Sequence, residues 1–197
     1  MKKVLALVIA LLISSSAAFA ECVFHIGLVI PSSSLSDSDN NSVNSFGGGF
    51  YFDFTRIADA GFTFNVTTSI GPTSISGDYS SSSLSATEYS FGAGFGYSFL
   101  HDQKKTLSLT GNFGFDFMTG DDSVSGVKID YSSVLFYIGP KVSFTYKFLS
   151  HFGVFGNVGL YLATGSADTK TSITSKKYDN SISGIIFSTN LGIAIPL

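Results

Sequence analysis

Residues 89–99 read YSFGAGFGYSF. Tyr89, Phe91, Phe95, Tyr97 and Phe99 hold odd positions, and Ser90, Gly92, Gly94, Gly96 and Ser98 hold the even ones. Successive side chains of a strand point to opposite faces, so this stretch has one aromatic face and one nearly bare face. The alternation recurs in eight segments: 22–30, 45–54, 61–70, 89–99, 106–117, 133–148, 152–162 and 183–197. Helical periodicity is absent after residue 20. The pattern predicts an all-β chain of eight antiparallel strands, joined up and down. What it leaves open is which face looks inward.

Charge and volume answer that. Across the eight segments the apolar face holds no Asp, Glu, Lys, Arg or His, and it carries most of the 20 Phe and 9 Tyr. The other face holds glycine, Ser, Thr and Asn, with Asp53, Glu88, Asp116, Lys141, Lys147 and His25 as its titratable groups besides Tyr. An eight-stranded barrel has a lumen just wide enough for side chains to fill, too small for some twenty rings. A soluble barrel would need a charged outer coat, yet only 13% of the residues are charged. No apolar run after residue 20 is long enough for a membrane helix, so a spanning chain must close as a barrel. The aromatic face is therefore expected to meet lipid.

The first twenty residues begin Lys2-Lys3, continue with an apolar run over 4–13, and end Ala18-Phe19-Ala20. This is the form of a secretory signal peptide cleaved after Ala20, leaving 21–197 as one barrel domain. Cys22 is the only cysteine, so no internal disulfide or cysteine metal cluster forms. The net charge of -3, about -5 without Lys2 and Lys3, argues against a nucleic-acid partner. The connections alternate in length: 31–44, 71–87, 118–132 and 163–182 are long and polar, whereas 55–60, 100–105 and 149–151 are short. Short periplasmic turns and long outer loops are the expected arrangement. Pro140 falls inside a segment, and Gly139-Pro140 is expected to mark a bulge that turns later residues over.

Signal, alternating strands such as GAGFGYSF and YIGPKVSF, and polar connections together resemble the small eight-stranded outer-membrane β-barrel proteins of the OmpX, OmpA-barrel, OmpW and opacity-protein type. The resemblance spans residues 21–197. It implies the bacterial outer membrane, contact with its lipid, assembly by the barrel-assembly machinery, and host or environmental ligands met through the loops. The chain ends Ile195-Pro196-Leu197, where that type commonly carries an aromatic residue. The expected role is structural or adhesive, without catalysis and without a cofactor. The alternative is a narrow pore or small-ligand barrel.

Candidate site residues are the inward polar ones. Asn65, Asn112, Asn157 and Asn190 fall near mid-strand and are expected to form a layer with Tyr137 and Lys141; Asp53, Asp116, Lys147 and His25 complete the lumen set. A hydrogen-bonded plug is the expected result. Enzymes of this architecture, by resemblance, place Ser, His and carboxylates at the outer rim, whereas His101 and His151 fall in short turns and His25 near the periplasmic end. The acids Asp37 and Asp39 with Asn40 and Asn41, and the pair Asp121 and Asp122, lack calcium-loop spacing and read as solvated. Gly47-Gly48-Gly49 opens no helix and is no phosphate loop.

Overall fold

A computed structural model describes residues 21–39, 41–77, 80–124, 127–172 and 177–197. The expected signal peptide and Asn40 lie outside the described residues. Nine strands follow one another: β1 (Glu21–Asp37), β2 (Ser42–Gly47), β3 (Gly49–Ile57), β4 (Phe62–Gly77), β5 (Ser80–His101), β6 (Lys105–Val124), β7 (Val127–Leu149), β8 (Phe152–Thr171) and β9 (Lys177–Pro196). All pairs are antiparallel, and β1 pairs with β9, which closes the ring. β2 and β3 keep one register against β1 and against β4, so they are a single crossing interrupted at Gly48. The barrel thus has eight crossings, in line with the eight alternating segments.

Paired residues followed once round the ring run from His25 through Asp53, Thr67, Gly92, Gly114, Tyr137, Ala163 and Gly184 to Leu35, ten residues further along β1. That stagger, with strands about 4.8 Å apart and residues about 3.3 Å apart, tilts the strands by about 40°.

The faces are resolved as the charge pattern requires. Phe91, Phe95 and Phe99 are 56%, 60% and 67% exposed, while Gly92 and Gly94 are buried inside. The same exposed apolar face runs round the barrel through Leu28, Phe50, Phe113, Phe136, Val158 and Leu191.

Two expectations need correction. Gly139-Pro140 is not a bulge. β7 keeps one register against β6 and β8 on both sides of Pro140, and only the β8 pairings of Gly139 and Pro140 are lost. Proline lacks the ladder N–H but leaves the facing intact, so Lys141, Thr145 and Lys147 stay buried inside. Real register shifts occur where β5 and β7 approach the short turns, between Ser98 and Leu100 and between Lys147 and Leu149.

The long connections are also mostly strand. β1 continues to Asp37, β4 to Gly77, β6 to Val124 and β8 to Thr171. Their outward positions become Ser34, Ser36, Ser74, Thr164 and Ser166, all exposed, while the inward positions bury Leu35, Ile75 and Ala167 together with Ser33, Asp37 and Thr73. The outer surface turns polar, but the hydrogen-bond ladder does not stop. The opposite end has tight turns. Gly61 adopts φ 87°, in the region open to glycine, and its N–H donates to the Ala58 carbonyl. In the next turn the Asp102 carboxylate accepts the N–H groups of Lys104 (2.7 Å) and Lys105 (2.6 Å), which holds its pKa below the ordinary value.

Candidate functional site in the lumen

Asp53 on β3 is the hub of the lower lumen. Its carboxylate faces His25 Nδ1 at 3.1 Å and accepts from Tyr51 Oη at 2.9 Å, Asn65 Nδ2 at 3.3 Å, Lys141 Nζ at 2.8 Å and the Thr55 hydroxyl. Tyr51 in turn accepts from Lys141 and from Asn157 Nδ2, each at 3.3 Å. Asn65 donates to Asn112 Oδ1 at 3.2 Å, and Asn190 donates to Asn157 Oδ1. The network binds β1, β3, β4, β6, β7, β8 and β9 across the barrel. A buried carboxylate needs partners of this kind, because each unpaired buried charge costs several kcal/mol.

The glycines make room for it. A Cβ on Gly94 would lie 2.3 Å from Asn112 Oδ1 and 2.5 Å from Asn65 Oδ1. The bare face of residues 89–99 is therefore bare because side chains from β4 and β6 occupy the space in front of it.

His25 lies between Asp53 and Thr145, with Nε2 3.1 Å from the Thr145 hydroxyl. A carboxylate, an imidazole and a hydroxyl in series have the connectivity of a nucleophilic triad. The adjoining cavity, lined by Thr55, Asn65, Ser108 and Lys141, has a volume of about 20 Å³. That is room for a water and not for a substrate.

Of the ten candidates read from the sequence, His25, Asp53, Asn65, Asn112, Lys141, Asn157 and Asn190 come together in this network. The other three lie elsewhere. Lys147 pairs with Glu21 at 2.8 Å near the periplasmic end, where His101 also approaches Glu21 at 3.6 Å. Tyr137 accepts from Ser90 at 3.3 Å and packs on Tyr161 at a ring-centroid distance of 5.0 Å. Asp116 touches Glu88, side chain to side chain. Sequence reasoning missed Tyr51 and Thr145. Tyr51 carried a signal, as an aromatic residue on the glycine face.

Above the network Leu35, Ile75, Met118, Leu135, Ile182 and Ile186 take up much of the lumen, among buried Ser33, Thr73, Glu88, Asp116 and Ser133. Between the two zones lies a cavity of about 40 Å³, lined in part by Tyr51, Ser90, Glu88, Asp116, Tyr137 and Tyr161. The acidic turn read from the sequence at Asp37 is a capped hairpin end: its carboxylate accepts the N–H groups of Asp39 (2.9 Å) and Asn41 (2.8 Å).

No protein-family model and no curated protein matches the chain. Solved structures do. A major outer membrane protein from Thermus thermophilus matches with a TM-score of 0.56 at 11% identity, covering 87% of this chain and 99% of that one. The outer membrane protein AlkL matches at 0.52 with 13% identity and 90% of each chain covered. Ail, the attachment invasion locus protein of Yersinia pestis, matches at 0.51 with 12% identity, over 90% of this chain and 98% of that one. At these identities the likeness is one of fold: the chain has the fold of the small outer-membrane β-barrels.

Proposed function

We propose that this chain is a non-catalytic outer-membrane barrel that raises a rigid polar surface outside the membrane for contact with other molecules. The observation that carries the reading is the change of outer face along unbroken strands. Exposed Leu160 and Leu162 on β8 give way to exposed Thr164 and Ser166, and Ile185 on β9 to Ser183 and Ser181, with the ladder continuous. Lipid ends there and the strands go on. The apolar filling inside the protruding part makes it stiff, as a packed core makes a soluble barrel stiff. The likeness to Ail, an attachment invasion locus protein, supports an attachment role by analogy of fold.

The non-catalytic part of the reading rests on placement. His25 is committed to Asp53 and Thr145, and His101 and His151 lie at the short-turn end. The pore alternative is disfavoured by the apolar filling and by the size of the two lumen cavities beneath it, about 20 and 40 Å³; the wider cavity of about 490 Å³ lies at the outer rim, beside Asp121, Lys128 and Asp168.

The test uses intact cells producing a Cys22→Ser background with Ser166→Cys or Ser183→Cys. An impermeant maleimide is expected to label both, and trimming the strands beyond the lipid belt is expected to abolish attachment to a host-cell or abiotic surface. Unlabelled cysteines, full attachment by the trimmed barrel, or steady channel conductance in a planar bilayer would overturn the reading.

A further inference from the structure

We propose that Glu88 and Asp116 form a binding site for a calcium-sized hard cation in the upper lumen. The two residues are 6% and 2% exposed. They are diagonal neighbours on β5 and β6, where Glu88 pairs with Met118 and Ser90 with Asp116. Their side chains touch, and among the described residues neither carboxyl has a salt-bridge partner. The one lysine on the same cavity, Lys141, is held by Asp53 and Tyr51 further down.

Two further observations point to a ligand. Glu88 Oε2 and Asp116 Oδ1 are buried and accept no hydrogen bond, although both residues line the 40 Å³ cavity. The hydroxyl of Thr73, on the adjacent strand and 5% exposed, faces the Glu88 carboxyl and adds a third buried oxygen beside the pair. Buried polar atoms are almost always paired, so two orphaned carboxylate oxygens on one cavity need a donor or a cation. The donor set is oxygen only: two carboxylates with the hydroxyls of Thr73, Ser90 and Tyr137 nearby. Such a set selects a hard cation, and its irregular placement suits calcium better than magnesium, which demands an octahedron. The volume admits one ion with a water or two.

A second cavity of about 10 Å³ shares Val29, Pro31, Ser69 and Glu88 with the first. It extends to Gly48 and Pro72, at the interruption between β2 and β3.

Terbium luminescence tests the proposal, because Tb³⁺ replaces calcium and is sensitised by nearby tyrosine, and the chain has no Trp. The refolded barrel in detergent micelles is titrated with Tb³⁺ at neutral pH, then with Ca²⁺ as competitor. Wild type is expected to give a saturable signal that Ca²⁺ displaces. E88Q/D116N, whose folding is checked by heat-modifiable migration, is expected to bind at least tenfold more weakly. The single variant E88Q serves if the double variant fails to fold. D121N/D130N, which removes exposed outer acids, is expected to bind as wild type does. No saturable signal in wild type would mean that the pair shares a proton instead of a cation. That result, an unchanged signal in the lumen variants, or a signal lost in D121N/D130N would each overturn the proposal.

Discussion

Asp53 and Asp116 are carboxylates on the inner wall of one barrel, each only 2% exposed, and they keep opposite company. Asp53 has Lys141 at 2.8 Å and His25 at 3.1 Å, and hydroxyl and amide donors take up its remaining lone pairs. Asp116 has Glu88 beside it and an oxygen with no donor. The first is a finished structural plug. The second is an unfinished cluster next to a cavity. Burial therefore does not tell the two apart; the accounting of donors does. The lower network ties seven strands together, whereas Glu88 and Asp116 belong to adjacent strands that their own ladder already joins.

The largest expected effect comes from filling the space the lower network uses. Gly94→Phe is expected to abolish folding, because even its Cβ would collide with Asn112 and Asn65. Phe95→Leu, one residue away on the lipid side, is expected to change stability by less than about 0.5 kcal/mol. The folded fraction on unheated gels reads the first, and urea unfolding in micelles reads the second. Tolerance of Gly94→Phe together with harmless Phe95→Lys would turn the barrel inside out.

Next in size is Asp53→Ala. It leaves the Lys141 ammonium, 3% exposed, without its carboxylate, and is expected to cost about 3–5 kcal/mol of unfolding free energy. Adding Lys141→Met should recover part of that loss, because the stranded charge goes with it. If the double variant is no better than the single one, Asp53 acts through packing and not through pairing.

At the upper pair the sign should reverse. Glu88→Gln, measured in chelator, is expected to stabilise the barrel by about 1 kcal/mol, since an amide N–H can donate to Asp116 where a carboxylate cannot. A loss like that of Asp53→Ala would show that the upper pair is as finished as the lower one, and the contrast would fail.

How much of this was legible in the sequence depends on whether register was needed. Facing required none: period 2 set Phe95 apart from Gly94 and Asn112, charge and volume chose which side meets lipid, and Lys141 follows the same parity because Pro140 makes no bulge. Partnership required all of it. His25 meets Thr145, 120 residues away, only because the ring closes with its particular stagger. No local pattern encodes that number. The same limit scattered the expected Asn–Tyr137–Lys141 layer, since Tyr137 sits higher, against Tyr161. The strand extensions were obscured for a different reason. Serine on the outer face looks like loop composition when hydrophobicity is the guide. Leu35, Ile75, Leu84, Ala86 and Ile182, apolar residues that keep the inward parity of their strands, carried the strand signal within those serines.

A third carboxylate sharpens the contrast by removing burial from it. Asp102 is at the surface in the turn after β5, and its donors are the backbone N–H groups of Lys104 and Lys105. Those donors favour the charged form, so its folded pKa lies below the unfolded one. Stability from this group is then present at pH above the ordinary carboxylate value of about 3.9, and is lost as pH falls through the folded pKa. Asp102→Asn keeps an acceptor oxygen but no charge. Its urea midpoint is expected to sit slightly below wild type from pH 5 to 8, and the gap should close as pH falls through the folded pKa. A gap that persists once Asp102 is protonated in the folded barrel would assign the effect to turn geometry. A gap that closes would show that donors alone, in water as in the lumen, decide whether a carboxylate of this barrel is settled.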